Sequence, residues 1–339
     1  MEVDPFAPVE LSLLEQRDAT ATHLFCRQMR TRGLAVLRVT EREAALFGQC
    51  VAAAGEYFAS TPAAVKQQQR MGEDGARDWG YVEMAEVKEF WQMRLNTPEP
   101  NPWPALSRDY FRCNTSLCRV ALAALARGLQ TAEANLTDKM LDADDASGVS
   151  STIFRFFRYY GAGGAQVEQR QMGCLTHTDI GLITLIPATN CAALERLDMH
   201  DYRWHAAELG LGRRDVMVLC GETLERLSGF HYPAVVHRVQ RVPGDDRFSL
   251  VFLLRARPDA LLDCAALQSP VIGPLPYGEA AQPVSVARFM RDKYLNKRSA
   301  NFNAGQGMPL ANLRGEEIDP AELSKWSESG GLDSKEDLY

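Results

Sequence analysis

The sequence predicts an α+β chain whose mainly β core closes as a barrel or double-sheet jelly roll behind a helical N-terminal region. Three observations lead there. The first third carries apolar residues at helical spacing. From about residue 150 the pattern shifts to short β-branched and aromatic runs. Turn clusters such as "GAGG", "PATN" and "PGDD" separate those runs. With 339 residues, 46% of them hydrophobic, the chain is long enough to bury a large core.

Leu14 to Arg32 places Ala21, Leu24, Phe25 and Met29 on one helical face, and Gly33 is a natural stop. "LAVLRV" follows as a strand. Thr40 and Glu43 have capping-box spacing and open a second helix, carrying Leu46, Phe47, Val51 and Tyr57. Pro62 suits the first turn of the next helix. Residues 107–133 read as a further helical stretch that ends near Gly128. The β runs come next: "STIFRFFRYY", "GLITLIP", "DVMVLCG", "AVVHRVQRV" and "RFSLVFLLR". "VSVARFMRDKYLNKR" then returns to helix, with Val286, Phe289, Met290 and Tyr294 on one side. The expected organisation is a helical region over 1–145, the β core over 146–265, a closing helical segment over 266–298 and a polar tail over 299–339.

A net charge of −7 argues against a basic nucleic-acid footprint. No apolar run approaches membrane-spanning length, and "MEVDPFAPVE" lacks the basic start and apolar stretch of a signal peptide, so a soluble, cytoplasmic protein is expected. The eight cysteines form no CxxC pair and read as reduced, small hydrophobes. No cysteine has a contextual histidine partner with a family-like signature, which argues against cysteine hydrolase chemistry.

The chemistry concentrates in "GCLTHTDIGLITLIP", where His177 and Asp179 are two apart and, on a strand, share a face. H-x-D alone is a weak signal. "YPAVVHRVQRV" adds His237, and two imidazoles with one carboxylate leave the opposite face of an octahedral ion open, the facial triad of non-haem Fe(II) oxygenases. In "DRFSL", Arg247 and Ser249 again share a strand face, a guanidinium and hydroxyl suited to a carboxylate at the end of a pocket. His23, His200, His205 and His231 lack such context, and Phe154, Phe156 and Phe157 read as core.

In these residues the chain resembles the 2-oxoglutarate- and Fe(II)-dependent dioxygenases of the isopenicillin N synthase-like, plant-type branch. The likeness lies in H-x-D at 177–179, H-R-V at 237–239, R-x-S at 247–249 and "GETLERLSGFHYPAVVHRV". "RFFRYYG" is similar to the family's N-Y-Y-P segment, "KEFWQMR" to a motif of its N-terminal helical region, and "FMRDKYLNKR" to its closing helix. The resemblance implies a double-stranded β-helix (jelly roll, cupin-like) wrapped by N-terminal helices and a C-terminal helix. It implies that His177, Asp179 and His237 bind Fe(II), that Arg247 and Ser249 bind the distal carboxylate of 2-oxoglutarate, and that Tyr160 hydrogen-bonds this co-substrate. The implied reaction uses O2, with ascorbate as an optional reductant. It decarboxylates 2-oxoglutarate to succinate and CO2 while a small molecule is hydroxylated or desaturated. Relatives that use no 2-oxoglutarate keep R-x-S, so an isopenicillin N synthase-like oxidase stays open, as does a non-catalytic, metal-holding interaction protein.

Arg158 replaces the asparagine of N-Y-Y-P, Gly161 its proline, and Glu222 the usual aspartate of a G-D pair. Arg158 has two readings. It is either a strand-end arginine in solvent or a second cation near the iron. In the second case it shares a face with Tyr160 and holds an acidic group of the substrate.

Overall fold

The computed structural model of the chain describes residues 7–71, 79–95, 97–141, 150–161, 172–199, 201–267, 269–272 and 282–295. The expectations for His200, for the boundary near 145 and for the tail beyond 299 fall outside these residues.

The N-terminal part runs β1 (Val9–Glu10), α1 (Leu11–Glu15), α2 (Ala19–Arg32), β2 (Leu34–Arg38), α3 (Glu41–Ser60), α4 (Ala63–Gln68), β3 (Gly80–Met84), β4 (Lys88–Met93) and α5 (Pro104–Gly128). Local chemistry sets the ends. The Asp18 carboxylate accepts the Ala21 amide at 2.8 Å to start α2. Gly33 ends it at φ +65°, where a Cβ would lie 2.3 Å from the Pro233 carbonyl, so only glycine fits. Thr40 and Glu43 form the expected capping box on α3. One expectation needs correction. The N-terminal region reads from the sequence as helices with a single strand, but it supplies β1 to β4, and "KEFWQM" is β4.

The core runs β5 (Ile153–Tyr159), β6 (Met172–His177), β7 (Ile183–Pro187), β8 (Leu194–Asp198), β9 (Arg203–Ala206), β10 (Asp215–Cys220), α6 (Glu222–Leu227), β11 (His237–Gln240) and β12 (Arg247–Leu254). After β13 (Leu261–Leu262) and β14 (Val284–Ser285), α7 (Val286–Leu295) follows. An eight-stranded sheet in the order β1-β2-β10-β7-β12-β5-β4-β3 faces a four-stranded sheet in the order β6-β11-β8-β9. Ladders within both sheets are antiparallel except β1 with β2. This is the expected jelly roll.

The period of two along a strand gives the large sheet two different faces. Its outer face carries Leu37, Trp91, Phe154, Phe156, Leu250 and Phe252 and is buried under the N-terminal helices. Tyr110 of α5 sits among these rings, 5.3 Å from Phe156 and 5.6 Å from Phe154. The inner face carries Val36, Phe90, Phe157, Tyr159 and Met217 and packs toward Leu194 and Val239 of the small sheet. Functional groups are interleaved with this second, smaller core. All eight cysteines are free. Among the described residues no helix is long and apolar enough to cross a membrane.

Candidate active site

His177 and His237 are register partners across β6 and β11, so the ladder itself sets their imidazoles side by side, with ring centroids 4.2 Å apart. Asp179 is not on the same strand face, as its spacing suggested, because β6 ends at His177. A bend brings it back. The Asp179 carbonyl accepts the Glu222 amide at 2.8 Å, the Thr223 hydroxyl donates to the Ile180 carbonyl, and the Thr178 hydroxyl donates to Glu222. A Cβ on Gly221 would lie 2.2 Å from the Gly181 carbonyl, so the start of α6 can seat against the bend only with glycine there. Glu222, the departure from the family's aspartate, therefore holds the loop that carries Asp179.

The three side chains converge. Asp179 Oδ1 lies 3.7 Å from His177 Nε2, and Oδ2 lies 4.0 Å from His237 Nε2. The potential ligand atoms all fall within 4.8 Å of one another. Each Nδ1 faces a backbone carbonyl, Leu175 at 2.7 Å and Val235 at 3.0 Å. A carbonyl only accepts, so Nδ1 carries the proton and the Nε2 lone pair is free for a cation. The Thr184 hydroxyl donates to Asp179 Oδ2 at 2.6 Å and fixes the carboxylate. Two neutral imidazoles and an oriented carboxylate fit a divalent iron with one face left open. Burial opposes ionisation of Asp179, but His237 and His177 hold its carboxyl below the usual range. Burial and the neighbouring His177 push His237 down to about 4. Burial works against the charge on His177 too, yet the negative Cys174 sulfur and Asp179 outweigh it and raise His177 to about 9.

Across the inner face lies a second polar group. Arg247 pairs in register with Tyr159, and Ser249 with Phe157. Arg247 is 2% exposed. Its Nη2 donates to Glu208 Oε1 at 2.8 Å, and its guanidinium stands 5.3 Å from the centre of the Tyr159 ring. Nε and Nη1 of Arg247 are buried with no hydrogen-bond partner among the described residues. Lys88, also buried, lies in register with Tyr159, its Nζ 5.9 Å from the same ring centre. Arg155, two places along that face from Phe157, donates to Gln92 at 2.8 Å.

Two sequence expectations are corrected. Tyr159, not Tyr160, stands beside Arg247. Along β5 the residues 155, 157 and 159 face inward, and Tyr160 lies beyond the strand with its amide on the Val87 carbonyl. Arg158 does share a side with Tyr160, 5.3 Å from its ring centre, but that side is the outer one. There Arg158 donates to Glu89 at 3.0 Å and to Asp246 at 2.7 Å. Burial works against its charge and the two carboxylates more than restore it. Arg158 is half-buried between two carboxylates on the outer face rather than beside the triad, and it gives no reason to expect an acidic substrate. Of the remaining histidines, His205 bonds Asp201 at 2.9 Å and His231 packs edge-on against Tyr232, both away from the triad. Sequence reasoning missed Thr184, Glu208, Lys88 and Arg155. The inward period of Arg155, Phe157 and Tyr159 was a usable signal for two residues of the inner face, but nothing marked Glu208.

Residues 154–256 match the family model of the 2OG-Fe(II) oxygenase superfamily, a span that holds the triad, Tyr159, Glu208 and Arg247. The chain is 28% identical over 181 residues to the 2-oxoglutarate-Fe(II) type oxidoreductase hxnY of Emericella nidulans, covering 50% of this chain and 49% of that protein. It is 24% identical over 174 residues to the isopenicillin N synthase of Streptomyces clavuligerus, covering 49% and 51%. The chain thus spans about half the length of these curated relatives. A full-length Neurospora crassa protein, solved in complex with alpha-KG and thymine, superposes with a TM-score of 0.71 at 17% identity. That superposition covers 88% of this chain and 99% of that one, a likeness of fold.

Proposed function

We propose, from the premise that this chain belongs to the 2OG-Fe(II) oxygenase superfamily, that it is an Fe(II)- and 2-oxoglutarate-dependent oxygenase that hydroxylates or desaturates a small molecule. One observation carries the reading. Inside the same barrel as a metal-fitting triad, Arg247 keeps two buried nitrogens without an acceptor among the described residues. Buried donors demand partners, and a dicarboxylate reaching from a cation to a guanidinium would meet that demand.

His177, Asp179 and His237 would hold the iron. Bound there, the metal supplies the O2 chemistry that couples decarboxylation of 2-oxoglutarate to oxidation of the substrate. The chain's own residues do the rest. Leu175 and Val235 fix the imidazole tautomers, and Thr184 fixes the carboxylate, so the open face points in one direction. Arg247, with Ser249 two residues along the same face, takes the far carboxylate of the co-substrate. The Tyr159 ring covers the guanidinium and limits water around it.

The relative isopenicillin N synthase supports a second reading, an iron oxidase that takes no 2-oxoglutarate. Measuring succinate against 2-oxoglutarate consumed, with anaerobically Fe(II)-loaded protein exposed to O2, separates the two. Equimolar succinate is expected. O2 uptake without succinate would overturn the first reading in favour of the second.

A further inference from the structure

Arg247 is not alone on the inner face. A guanidinium almost wholly out of water needs a counter-charge, and Glu208 provides it across 2.8 Å. Glu208 is itself immobilised to an unusual degree. Its Oε2 accepts the Ala193 and Leu194 amides, each at 2.8 Å, and its Oε1 accepts the Thr189 hydroxyl at 2.9 Å. These donors belong to the start of β8 and the turn before it, so the carboxylate is anchored to the small sheet. Arg247 belongs to β12 of the large sheet. The ion pair therefore ties the two layers of the barrel together on the inner face. Burial opposes the charge on Glu208, but Arg247 and the two amides hold its carboxyl below the usual range.

The pairing is also selective. Glu208 engages only Nη2, while Nε and Nη1 stay buried and unmet among the described residues. A carboxylate that merely neutralised Arg247 would gain by taking two nitrogens at once. One that takes a single nitrogen from a fixed position sets the orientation of the planar group and leaves its remaining donors for something else. We propose that Glu208 is a positioning residue for the co-substrate: it holds Arg247 by Nη2 so that Nε and Nη1 are presented to the far carboxylate of 2-oxoglutarate. This rests on the reading that 2-oxoglutarate is the co-substrate.

Clamp and competitor predict opposite signs. A competing anion, once removed, leaves a stronger cation and tighter 2-oxoglutarate binding. A clamp, once removed, leaves a mobile guanidinium and weaker binding. Calorimetric titration of 2-oxoglutarate into anaerobic, Fe(II)-loaded protein reads the sign directly. For Glu208→Gln the dissociation constant is expected to rise about tenfold, with iron stoichiometry unchanged. The KM for 2-oxoglutarate rises with it, while kcat at saturating 2-oxoglutarate stays within about twofold. Glu208→Asp keeps the charge on the amides but is one methylene short of Arg247. It is expected to weaken binding in the same direction and serves if the glutamine variant folds poorly.

A merely structural role is tested by a double-variant cycle. In the Arg247→Ala background, Glu208→Gln should cause no further loss of 2-oxoglutarate affinity, because a clamp with nothing to hold has no effect. Equal or tighter binding in both Glu208 variants would overturn the proposal, as would losses that simply add. If Arg247→Ala itself leaves 2-oxoglutarate binding unchanged, the co-substrate reading fails first and takes the clamp with it.

Discussion

The two faces of the large sheet each draw an arginine against carboxylates, one half-buried and one fully buried, and they resolve the same physical problem differently. On the outer face, Glu89 gathers Arg158 at 3.0 Å, Lys66 at 2.8 Å and the Tyr81 hydroxyl at 2.7 Å, while Arg158 also reaches Asp246. On the inner face, Arg247 has one carboxylate on one nitrogen and, among the described residues, two nitrogens with none. Burial alone does not mark a functional cation, since both arginines are drawn into the fold. What separates them is unused hydrogen-bonding capacity. Unmet buried donors cost free energy, and a ligand that reaches them recovers it.

The strongest way to test this contrast is to remove the other half of the inner constellation. Asp179→Ala takes away the carboxylate that both imidazoles share. Wild-type protein purified anaerobically is expected to bind about one equivalent of Fe(II), and the variant to bind almost none and lose turnover altogether. Retained iron stoichiometry in His177→Ala and His237→Ala would dissolve the triad.

Arg247→Ala comes next. Losing a charge-assisted contact should cost about 1.5–3 kcal/mol of 2-oxoglutarate binding, with iron still bound. Arg158→Gln, by contrast, should leave that affinity unchanged. It should instead lower stability by about 1–2 kcal/mol in denaturant melts, a figure discounted because its side chain is 26% exposed. If Arg158→Gln weakens 2-oxoglutarate binding as Arg247→Ala does, the division between the two faces is wrong.

How much of this was readable in the sequence follows the same division. β5, β7, β10 and β12 were visible because apolar side chains dominate them, and the triad was visible because its residue types are rare together. β8 and β9 were missed, and β6 was read as strand only through the spacing of His177 and Asp179 and carried two residues too far. "MGCLTH", "LERLD" and "RWHA" are half-buried strands whose polar groups line the pocket or meet solvent, which blurs the alternation. The exchange of Tyr160 for Tyr159 was an error of one residue at a strand end, and with a period of two one residue reverses the face. Glu208 was not legible at all. It meets Arg247 across 39 residues of chain and between two sheets, and only the closed barrel creates that contact.

The smallest expected effect is on acid stability, and it probes the inner pair without any ligand. Burial raises the cost of the Glu208 charge, while Arg247, the Ala193 and Leu194 amides and the hydrogen bond from Arg247 together lower its pKa from the usual value of 4.5. A carboxyl with a depressed folded-state pKa stabilises the fold above its unfolded value. That stability disappears as pH falls through the folded value, because the unfolded chain takes up the proton first. Wild type should therefore exceed Glu208→Gln by an increment on the order of 1 kcal/mol at neutral pH, narrowing steadily on the acid side. Denaturant melts of the metal-free proteins across that range read the difference. If the gap stays constant with pH, the glutamate contributes shape and hydrogen bonds rather than charge. The inner ion pair would then be no more electrostatic in character than a neutral amide in its place.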